Sequence, residues 1–444
     1  MNEKRSTFGS KLGMVAAAAG SAVGLGNIWR FPSEAADGGG ALFILVYVLC
    51  ILFFGVPVMV AEFVVGRSSR ANAAGAFHKL SPGTQWKWVG RLGVLTGFVI
   101  LGFYMVVCGW TIDYLIQSVT GSLFQVSDFN EHFELLLNNK FKQIVLMLLF
   151  VFLTAYFIYA GVQKGIENSA KIMMPMLFLL LIVLSVRSVS LEGAADGLAF
   201  LFKPNFKEVK STIFIDAMGQ SFFSLSLGMG CMMTYSSYFR KNTNLTKTAI
   251  QVSILDTFVA LLAGIVIFPS AFALAADTTT IVDKLVAGGP GLLFITLPEL
   301  FAQMKGSAVW SSMFFLLLAL AALTSTISLM EVVTVYLHEE YKMTRKRALQ
   351  YVVFGILILG VFSAIYPWFF NLLDVSSAKF MLPIGGLFIS LFVGWYLDKK
   401  IVHAELTNNG KLKMSIVFLK AYSFILKYFA PAAILVIFIY GILG

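Results

Sequence analysis

Between Gly20 and Pro32 the chain reads GSAVGLGNIWRFP. Gly20, Gly24, Gly26, an asparagine and an arginine stand where about 20 apolar residues would cross a bilayer. Glycine weakens a helix, and in hydrocarbon every backbone group released from a helix needs an internal partner. Non-helical backbone at that depth persists only when buried in protein or lining a cavity. The residues therefore predict a broken helix that offers carbonyls and amides to a ligand. A second run, GQSFFSLSLGMG over 219–230, again sets glycines and hydroxyls in an apolar stretch. A third, ALTSTISLME over 322–331, puts Thr324 beside Ser325. Compact shells of carbonyl and hydroxyl oxygen suit a small hard cation. The bland alternative for the hydroxyl pair is bonding to carbonyls of their own helix.

The elements that must hold these residues are membrane spans. The chain is 58% hydrophobic and 13% charged, with mean hydropathy +0.84, outside the balance of soluble domains. Eleven apolar segments can be marked, at 12–33, 41–66, 89–120, 142–161, 168–189, 211–237, 248–275, 307–337, 348–367, 376–398 and 424–442. The expected class is an all-α membrane protein, and no cleavable signal peptide is evident because the first segment runs into the glycine-rich break. The two interrupted segments each head a block of five. Five is odd, so the second block must insert the opposite way up, and paired interrupted helices in inverted halves point to a transport site. The expected units are 1–189 and 190–400 as inverted repeats, with 401–444 as an added helix. Close helix packing is the plainer use of such glycines.

The net charge of +10 sorts by loop. With the N-terminus inside, about two-thirds of the 33 basic residues fall on cytoplasmic segments, which places the C-terminus outside and excludes a nucleic-acid footprint. Cys50, Cys108 and Cys231 lie in apolar segments, which argues against a disulfide framework. His78, His132, His338 and His403 are scattered without metal-ligand spacing. No nucleophile elbow, P-loop or dinucleotide fingerprint is present, so enzyme chemistry has no foothold.

GSAVGLGNIWRFP, with GGGA at 38–41, GVP at 55–57 and the helix-6 and helix-8 runs above, resembles the neurotransmitter:sodium symporter family, in its bacterial amino-acid branch. The similarity covers essentially the whole chain and implies a ten-helix core with an eleventh helix. It also implies two sodium ions and no organic cofactor. The resemblance assigns the first ion to Ala22, Asn27, Ser224 and Asp256, together with the substrate carboxylate. It assigns the second to Gly20, Val23, Ala321, Thr324 and Ser325. Ala22, Gly24, Gly26, Ile100, Tyr104, Phe223, Ser226, Met229, Ser325 and Leu329 match the substrate pocket.

Two departures from the family pattern carry information. Asp256 replaces the usual helix-7 asparagine, and Ala260 stands where chloride-dependent members carry a serine near Tyr47, Gln220 and Ser224. A fixed acid in place of an anion predicts chloride independence, since a buried carboxylate needs a positive partner. Gly24 replaces the acid of amine-selective members, which predicts an amino-acid substrate, and the uncharged pocket favours a hydrophobic or aromatic one. Arg30 resembles an outer-gate arginine with Phe223 as lid. The family's acidic partner on helix 10 is not matched: Ser377 stands at the aligned position, with Asp374 three residues earlier and Lys379 close by. Arg5, Glu339 and Tyr238 match an inner gate, and Glu62 is expected on the amides of unwound helix 6.

The expected activity is sodium-coupled symport of a hydrophobic or aromatic amino acid by alternating access. The setting would be a bacterial cytoplasmic membrane, with lipid around a monomer or weak dimer. A non-transporting amino-acid sensor that keeps the site is the alternative.

Overall fold

The computed structural model describes residues 6–206, 209–210, 212–274, 278–287 and 289–443, the side chains of 278–280, 287 and 440–443 excepted. Among them every regular element is helical. In chain order these are α1 (Lys11–Ala22), α2 (Gly26–Asp37), α3 (Ala41–Ser69), α4 (Ala73–Leu80), α5 (Lys87–Thr120), α6 (Phe129–Asn138) and α7 (Lys140–Tyr159). There follow α8 (Val162–Val189), α9 (Ala194–Phe202), α10 (Ile213–Ser224), α11 (Cys231–Ser236) and α12 (Leu245–Leu274). The remainder are α13 (Thr278–Ala287), α14 (Gly289–Ala302), α15 (Ser307–Glu340), α16 (Arg345–Ile365), α17 (Pro367–Tyr396), α18 (Lys399–Leu406) and α19 (Ile416–Ile439).

Nine of these helices are long and apolar enough to cross a membrane, and α1 with α2 makes a tenth span bent by 53°. The sixth expected segment, 211–237, divides into α10 and α11, each too short to count alone, so the expected eleven stand as ten by length. The two 34-residue helices α5 and α15, each about 51 Å long at 1.5 Å per residue, pack along one another at the centre. Their most apolar stretches are 78% buried, against 28% for α19 and 33% for α7, which marks the latter two as peripheral. Phe152, Leu179, Ile254 and Phe354 are more than half exposed, as lipid-facing side chains are.

Local chemistry sets the helix ends. Ser10, Asn72, Asn139, Thr344 and Ser415 each accept a first-turn N–H and cap α1, α4, α7, α16 and α19. Gly66 lets α3 and α11 touch, because a Cβ there would lie 2.0 Å from the Met233 carbonyl oxygen. That contact seats the short α11 against the bundle beneath the helix-6 break.

Candidate functional site

The chain leaves helical geometry after Ala22. Val23 is extended (φ −69°, ψ 114°), and a wide π-type turn over Gly26–Arg30 leads into α2. Asn27, fully buried, organises the break. Its Oδ1 accepts the Gly24 N–H at 3.0 Å, and its Nδ2 donates to Asp256 Oδ1 at 2.8 Å and Ser224 Oγ at 3.1 Å. Ser224 donates to Asp256 Oδ2 at 2.6 Å, and Tyr47 donates to Ser224 Oγ at 3.1 Å. Gln220 Nε2 donates to the Gly26 carbonyl at 3.0 Å. Side chains from the α1–α2 break, α3 and α10 thus converge on the Asp256 carboxylate of α12, which among the described residues has no ammonium or guanidinium partner. Ala260 is fully buried one turn along α12 and offers no polar atom. A carboxylate, an amide and a hydroxyl beside the carbonyls of the break form an all-oxygen ligand set fit for sodium.

A second cluster joins α1 to α15. Ser325 Oγ donates to the Val23 carbonyl at 3.1 Å, and Thr324 Oγ1 reaches the same oxygen at 3.4 Å. Thr324 also bonds within its own helix, to the Ala321 carbonyl at 2.9 Å. Gly20 faces this pair, since a Cβ there would lie 3.3 Å from Thr324 Cβ. All five residues expected for the second ion are therefore adjacent.

The expected pocket residues lie between these clusters. The Leu25 N–H donates to Tyr104 Oη at 3.2 Å. A Cβ on Gly24 would stand 2.5 Å from Ser325 Oγ and 3.3 Å from Tyr104 Oη, so any side chain there would have to displace the Ser325 hydroxyl. A Cβ on Gly26 would stand 2.8 Å from the Phe223 ring. Ile100, Met229 and Leu329 are buried apolar neighbours of this space. Ser226, at φ +53°, occupies the left-handed region that costs a non-glycine residue about 1 kcal/mol, and its Oγ donates to the Ser21 carbonyl at 2.8 Å. Gly97, not singled out in the sequence, lies beside Leu329 and the Met229 carbonyl. Its spacing of three from Ile100 was the available signal.

At the outer end Arg30 pairs with Glu34 at 3.3 Å, one turn along its own helix, and lies over the Phe223 ring with its Cζ 4.9 Å from the centroid. On helix 10 Ser377 Oγ is turned to the Asp374 carbonyl, while the Asp374 carboxylate feels the Arg30 charge without forming an ion pair among those the described residues make. A cavity of about 240 Å³ above Phe223 is lined by Arg30, Glu34, Asp216 and Lys379. Beyond the spans, Lys210 donates to the Asp37 carboxylate, and that hydrogen bond raises the Lys210 pKa.

At the opposite end Tyr238 donates to Glu331 Oε1 at 2.8 Å. Arg345 grips the same buried carboxylate at 3.1 and 2.5 Å and donates to the Ile158 carbonyl. Glu339 Oε2 accepts the Asn72 N–H at 2.8 Å. Arg5 lies outside the described residues. Glu62 Oε1 accepts the Gly228 N–H at 2.8 Å, on the helix-6 break as expected. Glu167, unremarked in the sequence, accepts from the backbone of Gly9 at 2.6 Å and Ser10 at 3.0 Å and pairs with Lys171 at 2.6 Å. It holds the start of α1 to α8.

With this geometry in hand, relatives can be compared. A sequence model of the Sodium:neurotransmitter symporter family matches residues 5–135 and 125–444. The chain belongs to that family. It is an integral membrane transporter of sodium-dependent type, not an enzyme. It is 35% identical over 450 residues to the uncharacterised sodium-dependent transporter YhdH of Bacillus subtilis (strain 168), covering 98% of each chain. An uncharacterised sodium-dependent transporter of Haemophilus influenzae is also 35% identical, covering 99% of this chain and 98% of that one. The crystal structure of MhsT in complex with L-phenylalanine superposes with TM-score 0.87 at 39% identity, covering 98% of this chain and 99% of that one.

Proposed function

We propose that this protein is a two-sodium symporter importing a hydrophobic or aromatic amino acid by alternating access, without a chloride requirement. The observation that carries the reading is the Asp256 carboxylate, held by Asn27, Ser224 and Tyr47 at the helix-1 break. On this reading the first sodium takes the Ala22 carbonyl, Asn27, Ser224, Asp256 and the substrate carboxylate. The second takes the Gly20, Val23 and Ala321 carbonyls with Thr324 and Ser325. Asp256 balances charge that chloride supplies elsewhere, because an ion pair in a poorly screened interior compensates at short range.

Gly24 leaves room for the substrate carboxylate, and Tyr104 donates to it. Ile100, Phe223, Ser226, Met229, Ser325 and Leu329 surround the side chain. L-phenylalanine bound to MhsT, a relative of this degree of likeness, supports the aromatic class. Eleven spans, two inverted five-helix repeats at 1–189 and 190–400, and an added helix at 401–444 complete the reading. The N-terminus lies in the cytoplasm and the C-terminus outside a bacterial cytoplasmic membrane. Arg30 with Phe223 closes the outer path, and Arg5, Glu339 and Tyr238 the inner one.

Proteoliposomes loaded without sodium provide the test. An inward sodium gradient should concentrate labelled L-phenylalanine equally in chloride and gluconate. Uptake that ignores the gradient, or collapses without chloride, overturns the reading.

A further inference from the structure

A cavity of about 310 Å³ opens on the N-terminal face, away from the central site. One wall is the first turn of α1, with Ser10 and Lys11, and the other is the segment entering α12, with Arg240, Asn244 and Lys247. The lining holds three cations and no carboxylate. Among the described residues Lys11 and Lys247 have no acidic partner. Arg240 is fixed by backbone alone, donating to the Phe8 carbonyl at 3.3 Å and to that of Gly9. Like charges gathered in a concavity focus a positive potential.

Neutral donors accompany the charge. Asn244 caps α12, its Oδ1 accepting the Lys247 N–H at 2.9 Å, which leaves its NH2 to donate elsewhere. The Thr243 hydroxyl has only the Met14 thioether, 3.8 Å away and a weak acceptor. The start of the 30-residue α12 adds the positive end of its dipole. Two flexible ammonium groups on facing walls, a fixed guanidinium and neutral donors match the oxygens of a phosphate.

The height of the cavity says where that phosphate comes from. Three, seven and eleven residues after Lys247, on the same face of α12, come Ile250, Ile254 and Phe258, which are 41%, 62% and 45% exposed. On a membrane helix such a stripe faces hydrocarbon, so the turn above it stands at headgroup level. We propose that this cavity binds the phosphate of an anionic phospholipid such as phosphatidylglycerol, with Lys11 and Lys247 closing on it from opposite walls. Bound there, the lipid ties the start of α1 to the entry of α12. It stabilises the arrangement in which that end of α1 is packed.

The test is native mass spectrometry of the full-length protein with phosphatidylglycerol or phosphatidylcholine. Each cation beside an anionic headgroup is worth about a factor of five, so Lys11→Gln with Lys247→Gln should weaken phosphatidylglycerol binding about 25-fold. Lys11→Arg with Lys247→Arg should retain it, which separates charge from packing. Lys346→Gln with Lys413→Gln, on exposed lysines outside the cavity, should leave it unchanged. An equal loss in this control pair, or in the arginine pair, would overturn the site. Displacement of the lipid by millimolar inorganic phosphate would overturn the lipid as its source.

Discussion

Asp256→Asn isolates the role of charge in the central site, because the replacement keeps nearly every contact. Its Oδ1 can still accept from Asn27, now 2.8 Å away, and only the donations of Ser224 and Tyr47 to Oδ2 are given up. Packing around this fully buried side chain is undisturbed. What disappears is one negative charge. At an effective dielectric of about 20, a unit charge about 4 Å from a sodium ion contributes ~4 kcal/mol. The amide dipole returns part of this, leaving a net loss of ~3 kcal/mol, or about a hundredfold in sodium affinity. Purified protein should be titrated with sodium chloride and sodium gluconate while binding of labelled L-phenylalanine is followed by scintillation proximity. Half-saturating sodium should rise about a hundredfold in the variant, and chloride should help only when Ala260→Ser is added. A shift below about threefold would refute the charge argument and leave Asp256 a neutral packing residue.

Thr324→Ala with Ser325→Ala removes both hydroxyls that reach the Val23 carbonyl, and it should abolish sodium-driven accumulation in proteoliposomes. Gly24→Asp would drive a Cβ to 2.5 Å from Ser325 Oγ and set a carboxylate against the substrate's own; labelled phenylalanine binding should be lost, whereas Gly97→Ala, in ordinary contact, should keep it. Arg345→Ala leaves the Glu331 carboxylate buried with Tyr238 as its remaining partner, which should destabilise the fold by about 3–5 kcal/mol. Thermal unfolding in detergent would read this as a lower Tm, largely recovered when Glu331→Gln is added.

Where composition broke a local rule, the sequence was readable. Three glycines and a buried asparagine inside a span foretold the break at Val23, and the second interrupted segment foretold that α10 and α11 would be separate pieces. Grouping Asn27 with Ser224 and Asp256 came from the family resemblance, since apolar surroundings mark each polar residue as unusual but do not say which others it meets. Pairings between charged groups were less legible. The acid expected on helix 10 opposite Arg30 is missing, yet Glu34, one turn away, holds that arginine, since a neighbour four residues on needs no tertiary alignment. Glu331 and Arg345 lie 14 residues apart across a helix–helix turn, and only the angle between α15 and α16 brings them together. Glu167 could not be tied to Gly9 without knowing that α8 begins beneath α1.

The partners of the broken backbone suggest why sodium and substrate should be coupled. In a hydrocarbon setting each group freed from a helix must be satisfied, and here different helices satisfy different ones. The Gly24 N–H goes to Asn27, the Leu25 N–H to Tyr104 on α5, and the Gly26 carbonyl to Gln220 on α10. The Val23 carbonyl takes Ser325 on α15, and across the site the Gly228 N–H goes to Glu62 on α3. Moving α1 therefore exchanges hydrogen bonds with several helices at once, and a discrete rearrangement costs less than a gradual one that strands polar groups. Asn27 binds the break to Asp256 and Ser224, while Val23 binds it to α15, so both oxygen clusters act on the same four residues of backbone. A ligand that favours one arrangement of that segment must raise the affinity of the other ligands for it by the same factor. Separate sites on an unbroken helix would lack this reciprocity, because no shared backbone would change its partners.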